Sequence, residues 1–123
     1  MTRIIKPALA AVLAAMPAPS VASAHAFLEH AVPGVGSTVS GAPSELELSF
    51  TEGVVPSLSG VRLTSAGGGA VATGKIMVDA GNPAVVHVRL GRALAPGGYV
   101  VHWHVVATDT HPTSGTYKFT VTP

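Results

Sequence analysis

The sequence predicts an all-β domain, an antiparallel β-sandwich or barrel, behind a cleavable N-terminal export signal. Two observations favour strands. Apolar and polar residues alternate with a period of two in several short segments, and turns rich in glycine and proline separate those segments. After residue 24 no helical periodicity lasts longer than two turns. We therefore expect one small domain built from packed sheets.

The first 24 residues have the organisation of a secretory signal peptide. Arg3 and Lys6 form a short positive region before an apolar run at residues 7–16, which is shorter than the roughly 20 residues of a membrane span. Small residues at 22–24 match the pattern that signal peptidase accepts. A buried N-terminal helix is the alternative, but two prolines directly follow the apolar run and disfavour it.

Removal of residues 1–24 from the 123 of the chain leaves an exported, periplasmic domain of 99 residues, 25–123, with no further apolar run that predicts a membrane anchor. Without Arg3 and Lys6, five basic residues face six acidic ones, a net charge of −1 with neutral histidines. No binding of nucleic acid is expected from that balance. Because the chain has no cysteine, we expect neither disulfides nor thiolate metal ligands.

The first half of this domain predicts several short strands in succession. An N-terminal strand is expected to end at the loop of residues 33–36, where glycine and proline cluster. Residues 45–50 alternate regularly, and residues 61–63 indicate a short strand after a glycine. After a glycine turn at 67–69, residues 71–78 are expected to form another hairpin arm.

The second half predicts three longer strands. Residues 84–90 alternate, and a turn at 96–98 separates them from the next strand. In residues 99–106 the odd-numbered positions are apolar and expected to face inward, which leaves His102 and His104 facing outward. The last strand is expected to bury alternate residues between 117 and 121.

His25 is the first residue with metal-binding chemistry, because cleavage after residue 24 would make it N-terminal. A free N-terminal histidine offers its α-amine and its ring Nδ1 to one ion, provided that the amine is deprotonated. In the precursor that nitrogen is a peptide amide, so the chelate requires cleavage. The alternative interpretation is that cleavage leaves a histidine there by chance.

Asp109 and His111 are the second such feature. In extended chain, residues i and i+2 point the same way, so the carboxylate and the imidazole would face one point beyond the strand that contains Trp103. Pro112 and Gly115 are expected to stop the strand there and set the loop. On spacing alone, a turn with an Asx-type hydrogen bond explains the pair better than a metal site.

Together, His25, Asp109 and His111 supply an amine, two imidazoles and a carboxylate. Tetragonal ligation by nitrogen and oxygen favours Cu(II), and we expect one ion per chain. Zinc accepts the same ligands, but copper(II) leads by the Irving–Williams order.

The remaining histidines are expected to lie on the surface. His102 and His104 either hold a second metal ion or are solvent-facing strand residues, and the second interpretation is preferred. His30 and His87 each stand alone in the sequence. No nucleophile or phosphate-binding motif accompanies them, so no catalytic residue is expected.

The domain resembles the CopC family of periplasmic copper-resistance proteins over almost all of its length. The most specific match is residues 99–112, YVVHWHVVATDTHP, followed by Gly115 and the last strand. His25 after the signal, Pro33 eight residues later, and Glu52 at the end of the 45–50 strand match further parts of the family pattern.

The resemblance implies a Greek-key β-sandwich similar to cupredoxins and immunoglobulin domains. It implies Cu(II) bound by the amine and ring of His25, by Asp109 and by His111, with Glu52 carried over only as an outer ligand. Many family members also bind Cu(I) in a methionine-rich loop, which this chain lacks, since Met77 stands alone. An inner-membrane copper transporter of the CopD type is the implied partner.

We therefore interpret the chain as a periplasmic Cu(II) carrier or buffer and not as an enzyme. The alternative is a copper monooxygenase of the histidine-brace type, which also uses an N-terminal histidine. Against it, a domain of this size offers little substrate platform, and Asp109 would occupy a position that oxygen needs. A plain adhesion or scaffold module is the third hypothesis, and it leaves His25 unexplained.

Overall fold

A computed structural model describes residues 26–123, which form two β-sheets packed face to face. The expected signal peptide and His25 lie outside the described residues. The strands are β1 (Leu28–Val32), β2 (Thr38–Ser40), β3 (Glu45–Phe50), β4 (Gly60–Ser65), β5 (Ala70–Val71), β6 (Thr73–Asp79), β7 (Asn82–Leu90), β8 (Gly97–Val106) and β9 (Pro112–Thr122). A short 3-10 turn, Pro56–Leu58, precedes β4. Within residues 26–123, no helix has the length and apolarity needed to cross a membrane.

The two sheets have the strand orders β1-β3-β7-β6 and β2-β9-β8-β4-β5. Neighbouring strands are antiparallel except for β2 and β9, which run parallel. The all-β Greek-key sandwich predicted from the sequence is confirmed. Strands that follow each other in the chain frequently lie in different sheets. The two sheets pack face to face, so each buries one face against the other.

The core lies between the sheets and contains the apolar residues at alternate positions of the longest strands. The residues predicted to face inward in 45–50, 99–105 and 117–121 are buried, and this part of the prediction is confirmed. Aromatic rings join the sheets at the core: Phe50 of β3 meets Trp103 of β8 edge to face, with ring centroids 5.2 Å apart. Burial of this apolar surface supplies the main free energy of folding in a chain without disulfides.

The single arm predicted for residues 71–78 is wrong in one respect, because the chain changes sheets there. β5 pairs with β4 through Val71, whereas β6 pairs with β7 in the other sheet. Ala72, between the two strands, is exposed. A period of two identifies an extended segment but does not say which sheet it joins, so the crossing could not be read from the pattern.

Pro112 and Gly115 do not stop a strand, contrary to the prediction. β9 begins at Pro112 and passes through Gly115, which pairs with Trp103 of β8. Pro112 is tolerated because it is the first residue of the strand, where a missing N–H disturbs the ladder least. The glycine serves packing, since the indole of Trp103 lies where its side chain would be.

Candidate metal-binding site

The candidate site lies at one end of the sandwich, in the loop between β8 and β9. The loop is a tight turn: the Ala107 amide donates to the carbonyl of His111 at 3.1 Å, and the Thr110 amide donates to the carbonyl of Ala107 at 2.8 Å. Thr110 has a φ of 75°, in the left-handed region. The extended geometry on which the metal-site interpretation of residues 109–111 rested is therefore wrong, and the Asx-type turn, which the spacing alone favoured, describes the backbone.

The Asx turn nevertheless brings the two predicted ligands together. The His111 amide donates to Oδ1 of Asp109 at 3.2 Å, while Oδ2 lies 3.3 Å from Nδ1 of the His111 ring. Two donors that each stand about 2.0–2.1 Å from one ion, at 90–109° to each other, are separated by about 2.8–3.4 Å. The Asp109–His111 pair fits that span, and both side chains are open to solvent, at 34% and 55% of their full exposure.

The first described residues are held against this same end. The hydroxyl of Thr113, two residues after His111, donates to the carbonyl of Ala26 at 2.6 Å, and Ala26 is fully buried. Phe27 and Thr51 are joined twice: the Phe27 amide donates to the Thr51 hydroxyl, and the Thr51 amide donates to the Phe27 carbonyl, each at 2.9 Å. The chain therefore enters the fold between the residues that follow His111 and those that precede Glu52.

Glu52 lies in the turn after β3, beside the loop that contains Asp109. The Thr108 amide donates to the carbonyl of Gly53 at 3.0 Å, and Val54 forms a bridge with Ala107. Glu52 precedes Gly53 and Asp109 follows Thr108, so each is adjacent in sequence to one member of this hydrogen-bonded pair. Glu52 is exposed. The fold brings Glu52, Asp109 and His111 to one end of the sandwich together with Ala26, the neighbour of His25.

The CopC domain model matches residues 28–122, which is most of the described chain. This chain belongs to the CopC family. Protein YobA of Escherichia coli strain K12 is 36% identical over 119 residues, which cover 97% of this chain and 95% of YobA. Copper resistance protein C of Xanthomonas campestris pv. juglandis is 40% identical over 115 residues, which cover 86% of this chain and 90% of that protein.

A solved structure agrees with the fold. The crystal structure of CopC from Methylosinus trichosporium OB3b superposes with a TM-score of 0.76 at 32% sequence identity, covering 80% of this chain and 95% of that chain. Membership of the CopC family connects the chain with copper.

Two further histidines lie on the outer face of the five-stranded sheet, as the alternation predicted. His104 is exposed, while His102 is half-buried, with Nε2 3.0 Å from the hydroxyl of Thr64. An open groove of about 460 Å³ runs over this face and is lined by both histidines and by Arg62. Among residues 26–123, no three His, Asp or Glu side chains converge on a position for one metal ion.

His87 is a residue whose contacts the sequence analysis missed. Its Nε2 is 3.0 Å from Oδ1 of Asp79, and its Nδ1 is 3.6 Å from Oε1 of Glu45. The hydrogen bond with Asp79 raises the pKa of His87, with smaller contributions from the charges of Glu45 and Glu47, and it lowers the pKa of Asp79. The sequence contains a signal for this contact, because the turn with Gly81 between β6 and β7 pairs the two strands and brings Asp79 close to His87.

Proposed function

We propose that this protein is an exported Cu(II) carrier or buffer of the periplasm, with one copper ion held by His25, Asp109 and His111. The family supports copper as the cargo, because relatives of this chain carry the name copper resistance protein C. The observation that carries the proposed ligand set is the hydrogen bond from Thr113 to the carbonyl of Ala26. This hydrogen bond holds Ala26, the neighbour of His25, against a residue that lies two positions after His111.

The proposed N-terminal chelate depends on that placement. After cleavage behind residue 24, the new amine would belong to the residue before Ala26, and neighbouring Cα atoms are about 3.8 Å apart. Ala26 is buried and its carbonyl accepts a hydrogen bond, so the residue next to the proposed chelate is held in place. Because folding already orders the residue beside the chelate, less conformational entropy is lost when the ion binds.

The available donors fit Cu(II) better than other ions. The amine and the two imidazoles are nitrogen donors, and the Asp109 carboxylate completes a plane of four, which is a tetragonal arrangement that Cu(II) favours. Glu52, exposed at the same end, is the outer ligand in this proposal. The chain has no thiolate for Cu(I) or for a blue-copper centre.

The role we propose is binding and delivery without turnover. Four donors in the plane leave no equatorial position for oxygen, and hard oxygen and nitrogen donors hold Cu(II) better than Cu(I). Reduction should therefore loosen the ion, which suits transfer to an acceptor. An inner-membrane transporter of the CopD type is the acceptor in this proposal.

The test is an exported protein with and without one extra residue before His25. N-terminal sequencing and intact mass first establish that the chain begins at His25. At one equivalent of Cu(II), electron paramagnetic resonance should then show a single tightly bound ion with nitrogen hyperfine coupling. The extended protein should bind copper more than about 100-fold more weakly, because its amine has become an amide. Equal affinity with and without the extension would exclude the amine as a ligand.

Side-chain variants separate this site from the other histidines. His111→Ala and Asp109→Ala should each weaken Cu(II) binding, the former more strongly because imidazole is the better donor to Cu(II). Replacing both His102 and His104 by alanine serves as the matched control and should leave the affinity nearly unchanged. A second tight ion that disappears in this control would contradict the proposed stoichiometry.

Oxygen consumption distinguishes the carrier from the histidine-brace monooxygenase. Copper-loaded protein treated with ascorbate should lose its ion to a Cu(I) chelator and consume no more oxygen than free copper does. Sustained peroxide production that resists the chelator, or oxidative cleavage of a polysaccharide, would transfer the assignment to the enzyme.

A further inference from the structure

The outer face of the four-stranded sheet carries a second group of metal-binding side chains, centred on His87 of β7. Met77 of β6 and Glu47 of β3 are its direct neighbours across the sheet. Asp79 and Glu45 contact its ring from the same two strands, one at each nitrogen. This surface is not part of the loop that contains Asp109 and His111.

The separation of Nε2 of His87 from Oδ1 of Asp79 is 3.0 Å. Two donors about 2.0–2.1 Å from one ion stand about 2.9 Å apart at 90° and about 3.3–3.4 Å apart in a tetrahedron. The observed distance lies within the span that one ion can bridge, and an imidazole nitrogen with a carboxylate oxygen is a donor pair that Cu(II) accepts. To bind both atoms, an ion would displace the proton of the hydrogen bond and lie beside the line between them, which requires a rotation of the ring or of the carboxylate.

The surroundings of the ring also suit a cation. The Glu45 carboxylate lies 3.6 Å from Nδ1, on the side of the ring opposite Asp79. At this distance the carboxylate is too far for a hydrogen bond, and its negative charge favours a cation bound at the ring. The carboxylates of Glu45, Glu47 and Asp79 outnumber the two cations of β6 and β7, Lys75 and Arg89, both of which are exposed.

We propose that Nε2 of His87 and the carboxylate of Asp79 form a second, weaker Cu(II) site on this face, with the negative charge of Glu45 nearby. Two protein donors leave the remaining positions to water, so the affinity is lower than at a site with four donors. The ring is accessible, with 26% of the side chain exposed. Such a site would take up copper when the first site is filled, and it does not depend on cleavage at residue 24.

The test removes the first site and uses a methyl group as a reporter. Met77 is the only methionine after residue 16, and its exposed side chain stands beside His87, so its methyl gives one assignable signal in the domain. In a protein with His25, Asp109 and His111 all changed to alanine, substoichiometric Cu(II) should broaden that signal by paramagnetic relaxation. Titration against a competing chelator should give one ion per chain.

The decisive comparison is between His87→Gln and His30→Gln on that background. His30 is an exposed imidazole of β1 in the same sheet, with no carboxylate contact among the described ion pairs. His87→Gln and Asp79→Asn should each weaken binding at least about tenfold and preserve the Met77 signal, whereas His30→Gln should change neither. Thermal unfolding establishes that each variant is folded.

Two results would overturn the second site. One is a Met77 signal that stays sharp at one equivalent of Cu(II) on the background lacking the first site. The other is equal loss of copper in the His30 and His87 variants, which would mean that exposed imidazoles bind the ion without a defined partner.

Discussion

The indole of Trp103 fills the space above Gly115, its partner across the β8–β9 ladder. A Cβ built on Gly115 would lie 2.6 Å from Cζ2 of the indole and 2.9 Å from Cε2. The ring also packs edge to face against Phe50 of the opposite sheet. This contact holds β8 and β9 together near the loop that carries Asp109 and His111.

Gly115→Ala should lower the free energy of unfolding by about 1–3 kcal/mol, because the added methyl forces the indole or the strand to move. Gly67→Ala is the matched control, since a Cβ at Gly67 meets no atom within 4 Å. Urea unfolding followed by Trp103 fluorescence measures both. Equal stability of the two variants would mean that the indole relaxes without cost.

Tyr117→Phe should raise the free energy of unfolding by about 1 kcal/mol. The Tyr117 hydroxyl is buried without a hydrogen-bond partner among the described residues, and burial raises its pKa to about 12. Tyr99→Phe is the control, because the Tyr99 hydroxyl donates to the carbonyl of Ala95 at 2.6 Å. Its removal should lower the free energy of unfolding by about 1 kcal/mol. The same sign for both substitutions would contradict the assigned partners.

Thr113→Val should weaken Cu(II) binding by about 10–100-fold without removing a ligand. The change deletes the hydroxyl that donates to the Ala26 carbonyl and so releases the start of the described chain from the site. Thr122→Val is matched to it, because the Thr122 hydroxyl donates to the Val39 carbonyl at the opposite end of β9. Affinity measured by chelator competition should fall only in the first variant, with nitrogen hyperfine coupling retained in both.

His87 should stabilise the metal-free protein over a defined pH range. Its folded pKa is raised, so its contribution is complete below the ordinary value of 6.5 and is lost as pH rises through the folded pKa. The folded pKa of Asp79 is lowered, so its contribution is present above 3.8 and is lost as pH falls through the folded pKa. The pair therefore contributes most between about pH 3.8 and 6.5.

The measurement compares the Tm of the unsubstituted protein and of His87→Gln in EDTA. The difference should be largest near pH 5 and should shrink toward pH 8. His30→Gln, which changes an exposed histidine of the same sheet, should give no such trend. A Tm difference for His87→Gln that is constant across this range would exclude the ion pair as its source.

The strands that bury alternate residues were predictable because successive side chains of a strand point to opposite faces of the sheet. The buried face therefore appears in the sequence as apolar residues at every second position. Leu46, Trp103 and Phe119 each belong to a segment in which every second residue is apolar, and each is buried. For residues 109–111 the spacing alone favoured an Asx-type turn, although a turn and an extended segment both bring a D-x-H pair to one side. The left-handed Thr110 and the hydrogen bond from the His111 amide to Oδ1 of Asp109 establish the turn.

The sequence by itself determined the fold class, the family and the residue types that offer donors to copper. The alternation of apolar residues and the CopC-like segment at residues 99–112 are each contained in short stretches of chain, so they can be recognised without knowledge of the tertiary structure. Only the tertiary structure decided that Thr113 holds Ala26, that Glu52 lies beside the Asp109 loop, and that Glu45 of β3 lies near His87 of β7. These contacts join residues up to 87 positions apart, and their existence depends on strand register and sheet packing, which no local pattern specifies.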